Sequence, residues 1–165
     1  MNVSSLEAKI RAAWANIAAP PAEDLEYMEQ EWGDEAASAF TGVAPMRVDL
    51  ESPGFSAATP LLDLPPRASA AYLGTYLLSL LQSLQFQENV GLFDDITTRA
   101  HIINVMTNRR FWEDVVRRQL SPDCQQVAAD VARFMVAKQE ALALEPEDVQ
   151  KLLALSAGAG AWPVD

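Results

Sequence analysis

Reactive side chains are scarce in this chain of 165 residues, which has one cysteine, Cys124, and one histidine, His101. A single thiol excludes an internal disulfide, the usual staple of secreted domains, and suits a reducing compartment. A single imidazole excludes the paired Glu-x-x-His ligands of helix-bundle metal sites. With only seven glycines, there is no glycine-rich loop whose amides would cradle a phosphate, and no G-x-S-x-G, H-E-x-x-H or C-x-x-C occurs. Long apolar runs are missing too. The most hydrophobic stretch, Tyr72–Leu84, is interrupted by Thr75, Ser79, Gln82 and Ser83 and is too short to span a bilayer. MNVSSLEAKIRAAW lacks a basic stretch followed by an apolar core, so no signal peptide is expected, and the expected location is cytoplasmic.

Positive charge is the other shortage. Twelve bases stand against 23 acids, a net charge of −11, which disfavours nucleic acid and anionic lipid as partners. Residues 1–63 hold eleven acids and three bases, so most of the excess lies there. It peaks at Glu23, Asp24, Glu26, Glu29, Glu31, Asp34 and Glu35, a stretch with no Lys or Arg. Leu25, Met28, Trp32, Ala36, Ala39 and Phe40 recur through it at three- and four-residue intervals, the mark of a helix with one apolar seam and an acidic outer face.

Half the residues are hydrophobic, enough for one core at a common single-domain length. The pattern predicts an all-α, irregular single-domain bundle of six or seven helices. Ser4 and Glu7 have capping-box spacing ahead of Leu6, Ile10, Trp14 and Ile17. Pro20 and Pro21 end that helix, and an acidic helix follows from Ala22 to Thr41, with Gly33 a candidate bend and Gly42 suited to its C-terminus. Residues 43–66, with five prolines, read as a loop crossing the helices, and Met46–Leu50 alternates enough for at most one short strand pair. Residues 66–86 are apolar on nearly every side, the pattern of a central buried helix, and Gln85–Gly91 reads as a loop. Asp95 is placed to cap a helix through Thr107, although Ile102–Val105 is β-branched enough for a strand. Asn108, Ser121-Pro122-Asp123 and Glu145-Pro146 each signal a further helix start, with the seam after Ser121 reaching Leu142. Residues 159–165, with Trp162, form a tail.

Leu62-Asp63-Leu64-Pro65-Pro66, the Ala71–Leu81 stretch, Ala39-Phe40-Thr41-Gly42 and Leu120-Ser121-Pro122-Asp123 resemble a family of small bacterial proteins of unknown function. There an acidic helix ends in Ala-Phe-x-Gly, a proline-containing loop leads into a Leu-rich helix, and a later helix opens with Leu-Thr-Pro-Glu. The likeness covers about residues 6 to 142, with Gly74 where that family tends to have proline. It implies an all-helical, bacterial, cytoplasmic domain and supplies no catalytic residues.

Several uses of these residues compete. Cys124 and His101 lie on different expected helices and read as core residues rather than a nucleophile and its base. The carboxylates of Asp24, Glu31 and Glu35 share a face but have no histidine beside them, so no metal or other cofactor is expected. As a solvated face, the acidic helix would keep the chain soluble. Its like charges four residues apart nonetheless destabilise an isolated helix, and interspersed lysines would serve solubility better. The favoured reading is therefore a non-catalytic protein-binding surface, Glu23, Asp24, Glu26, Tyr27, Glu29, Glu31, Asp34 and Glu35, for a partner with a basic surface. By analogy, the setting is an immunity-type protein neutralising a basic toxin. A small-ligand pocket or enzyme site between the 43–66 loop and the central helix, lined by Tyr72, Tyr76, Arg67 and Asp63, is the rival. A self-associating module, a homodimer joining the acidic face to Arg99, Arg109, Arg110, Arg117 and Arg118, is the third.

Overall fold

Apolar side chains on every face of one long helix require neighbours on every side, and this requirement organises the computed structural model, which describes residues 1–91 and 96–158. The described residues contain eight α-helices and no strand. They are α1 (Val3–Ala13), α2 (Glu26–Phe40), α3 (Pro53–Ala57), α4 (Pro66–Val90), α5 (Ile96–Met106), α6 (Arg109–Phe111), α7 (Pro122–Ala137) and α8 (Pro146–Ser156). Central α4 starts at Pro66 in the first helical position, where no amide hydrogen is needed. Fifteen of its residues, from Ala68 to Leu84, are buried. It packs against α1 and α5, and α7 bridges α1 and α8. Trp14, at the end of α1, lies flat on α4, and its Nε1–H donates to the Ala70 carbonyl at 3.1 Å. A Cβ added to Gly74 would stand 2.5 Å from the indole. Glycine is there because the ring takes its side-chain space.

The segment between α2 and α4 is held by hydroxyls of the central helix. Tyr72 Oη lies 2.7 Å from the Phe40 carbonyl and 3.0 Å from that of Val43. Thr75 Oγ1 donates to Pro45 O at 2.8 Å and Tyr76 Oη to Ala58 O at 3.2 Å. These bonds give loop carbonyls the partners their burial demands. The rings of Phe40, Phe55, Tyr72 and Tyr76 fill the space between, with centroids 4.8–6.2 Å apart. The stretch is accordingly more helical than its prolines suggest: Pro45–Arg47 is a 3₁₀ turn where a strand was conceivable, and α3 follows Ser52, whose Oγ accepts the Phe55 amide.

Other boundaries differ in ways the local chemistry explains. The α1 cap is Asn2, not Ser4, with Oδ1 accepting Ser5 N–H at 2.8 Å. Residues 85–90 continue α4 until Gly91, at φ +77°, closes it. Residues 102–105 are helical, because α5 buries Ile102 and Val105 against the rest of the core. Asn108 Oδ1 accepts from Phe111 N, and after α6 the chain widens into a π turn, Trp112–Arg117. Ser121 caps α7 as its sequence implied, but α7 stops at Ala137. Leu142 reaches the core from a separate turn. Asp95, the 159–165 tail and Trp162 lie outside the described residues.

Candidate partner-binding face

The acidic stretch begins after Pro21 as a 3₁₀ turn, Ala22–Leu25, and continues as α2. Its apolar residues sit where their spacing put them, with Leu25, Met28, Ala36 and Phe40 buried and Trp32, Ala37 and Ala39 packed on the core edge. Gly33 interrupts the helix at φ +86°, ψ 179°, a conformation essentially reserved for glycine. The helix expected over 22–41 thus bends at Gly33, the candidate bend, and differs in opening with a 3₁₀ turn.

Asp24 departs from the outward set. It is 6% exposed and takes a two-pronged bond from Arg67 on the first turn of α4, Nε to Oδ2 at 2.6 Å and Nη2 to Oδ1 at 2.7 Å. That hydrogen-bonded guanidinium holds the Asp24 carboxyl below its ordinary range. Asp24 is therefore not a docking residue but the rivet fixing the start of the acidic segment to the central helix. Arg67 is the only Lys or Arg between positions 48 and 98. That isolation, just past the acid-rich residues 1–63, was the signal in the sequence for such a pair.

The other seven positions point out. Glu23, Glu26, Glu29, Glu31, Asp34 and Glu35 are exposed. Glu23 has Arg67 at 3.7 Å, with its own side chain 73% exposed. Among the described residues, Glu26, Glu29, Glu31, Asp34 and Glu35 form no salt bridge. Tyr27 is 39% exposed and meets Trp32 edge to face, centroids 5.7 Å apart. Loss of water around the phenol, and then the charges of Glu31 and Asp63, push its pKa up, so it stays neutral.

The competing arrangements look different in three dimensions. Arg109 pairs with Glu113 at 3.0 Å, and Asp114 takes both Arg110 at 3.4 Å and Arg118 at 3.1 Å, along their own helix. Arg99 is buried, bonded to Ser83, Gln87 and the Ala141 carbonyl. Burial removes Arg99 from the set of five, while Arg110 and Arg118 keep exposed side chains beside their own acid. Tyr72 and Tyr76 belong to the filled core, so the pocket expected from Tyr72, Tyr76, Arg67 and Asp63 does not form as such. A cleft of about 660 Å³ does open between the 43–66 segment and the central helix, but farther along α4 and with other residues, Leu50, Phe55, Ser79, Gln82 and Phe86, with Thr97 and Arg99 of α5 completing it. His101 Nε2 accepts Leu61 N–H at 3.3 Å, and the Cys124 thiol donates to Ala13 O at 3.3 Å. Burial raises the thiol's pKa, the wrong direction for a nucleophile. Among the described residues, no three His, Cys, Asp or Glu side chains gather as a metal site, and no helix is long and apolar enough to cross a membrane.

Comparison with protein-family models, with curated proteins and with solved structures returns no match.

Proposed function

We propose that the chain is a non-catalytic protein-binding protein that docks a basic partner on the outer face of 23–35. The observation carrying this reading is that five carboxylates, Glu26, Glu29, Glu31, Asp34 and Glu35, stand exposed and form no salt bridge among the described residues, on a segment fixed at one end by Asp24–Arg67 and at the other by buried Phe40. Their mutual repulsion is a standing cost to the free chain, relieved when a cationic surface covers them. A field of this kind raises the association rate of a basic protein by about 10- to 1,000-fold at low salt, and the half-exposed aromatics provide area for anchoring. Neutralisation of a basic toxin by an immunity-type protein in a bacterial cytoplasm is the setting this physics suits. The test replaces the five carboxylates by their amides (Glu26→Gln, Glu29→Gln, Glu31→Gln, Asp34→Asn, Glu35→Gln). A basic protein purified on the unmodified chain should lose at least about tenfold in affinity for the variant; equal affinity overturns the reading.

A second reading has one observation behind it, the cleft beside Ser79 and Thr97, whose size suits a small molecule. A fragment screen by amide chemical shift decides it. Saturable shifts confined to α3, α4 and α5 would favour that reading.

A further inference from the structure

Tyr27 and Trp32 are five residues apart, about 140° round a regular helix, and residues so placed do not normally touch. Here their rings do, at 5.7 Å and 86°, with Trp32 resting on the core edge and Tyr27 outermost. The pair makes a rigid corner on the acidic face. Two exposed carboxylates from different parts of the chain belong to its surroundings: Glu31, one helical turn beyond Tyr27, and Asp63, in the turn before α4. Both act electrostatically on the Tyr27 hydroxyl. Exposed Leu62 lies next to Asp63 in the same turn. The cation nearest Asp63 in sequence, Arg67, is already engaged by Asp24 and Glu23.

We infer that the Tyr27–Trp32 corner, with Glu31 and Asp63 at its sides, is the seat for one arginine of the basic partner. A guanidinium suits it better than an ammonium. It is planar and weakly hydrated, stacks on an aromatic face and forks onto a carboxylate at once. The corner brings a part-exposed aromatic side chain within electrostatic reach of two carboxylates. Asp34 and Glu35, beyond the Gly33 break, add to the general field without belonging to the seat. The inference rests on the docking role proposed above and narrows it to one anchoring contact.

The probe is the tripeptide acetyl-Gly-Arg-Gly-amide, with citrulline in place of arginine as its neutral, nearly isosteric control. The readout is the indole N–H resonance of Trp32 in the full chain, assigned with Trp32→Phe. The arginine peptide should shift this resonance saturably, and the citrulline peptide should not. Tyr27→Ala and Glu31→Gln should each weaken binding by about fivefold, while Glu35→Gln, which removes the same charge, changes it by no more than about twofold. Dispersed indole signals in each variant establish that the fold is retained. Unsaturable shifts, equal response to citrulline, or equal loss for Glu35→Gln and Glu31→Gln overturns the seat. Salt-sensitive binding of a basic protein that survives Tyr27→Ala would refute the seat alone, whereas insensitivity to the five-amide variant would refute the docking role itself.

Discussion

His101 gives the sharpest energetic test of the core. It is 6% exposed on α5, its ring edge-on to Tyr76 at 5.6 Å, and its Nε2 is occupied as the acceptor for Leu61 N–H. The proton of the neutral ring therefore belongs on Nδ1. Charging the ring would put a proton on the nitrogen that holds Leu61 and bury a cation. Burial accordingly lowers the pKa from 6.5 to about 4. In the unfolded chain the same imidazole protonates near 6.5. Between those values the unfolded state binds the extra proton, so this contribution to stability is complete above pH 6.5, declines as pH falls, and is gone below about 4. The gap corresponds to about 3 kcal/mol in full, most of it lost by pH 4.5. Other groups titrate as well. Asp24 and Asp130 are held below their ordinary 3.8, so they lose stability in the same direction but at lower pH. Falling net charge relieves repulsion and works the opposite way. His101→Gln isolates the histidine, since the amide oxygen still accepts from Leu61. Urea denaturation of both chains at pH 7 and pH 4.5 should show the unmodified chain losing about 2–3 kcal/mol more than the variant. Equal losses would refute the buried neutral imidazole.

Two glycines separate steric from backbone cost. Gly74→Ala drives a methyl into the Trp14 indole and should cost about 1–3 kcal/mol by thermal or urea unfolding; Trp14→Leu made alongside should recover part of the Gly74→Ala penalty. Gly33→Ala meets nothing within 4 Å, yet its φ of +86° should still cost about 1–3 kcal/mol, and no second substitution nearby should rescue it. For the rivet, Arg67→Met strands the Asp24 carboxylate with 6% exposure, while Asp24→Asn leaves the guanidinium mostly in water. Urea midpoints should therefore fall further for Arg67→Met, and the reverse order would mean that Asp24 is hydrated.

Periodicity made the helices legible wherever one face decided the matter. Met28, Ala36 and Phe40, and likewise Cys124, Val127 and Val131, are buried as their spacing implied. The caps at Asn108 and Ser121 were readable because a short polar side chain before a helix has few other uses. Long-range decisions were not readable. Asp24 looked like its acidic neighbours because its partner is 43 residues away. Arg99 and Arg110 looked alike in sequence, but α5 turns one into the core and the helix after Asn108 leaves the other outside. Residues 43–58 looked irregular because the hydroxyls ordering them, Tyr72, Thr75 and Tyr76, belong to another helix. The 660 Å³ cleft lies between the 43–66 segment and the central helix, where a pocket was expected, but its lining depends on how α3, α4 and α5 meet, which no local pattern encodes.

The association rate of a basic partner reads the outward carboxylate face of 23–35 most directly. Followed by stopped-flow fluorescence as added salt rises from about 20 to about 500 mM, the rate constant should fall by at least about tenfold, with dissociation changing much less. The five-amide variant should start slow and stay nearly flat. A rate that is the same across the salt range for the unmodified chain would contradict the account.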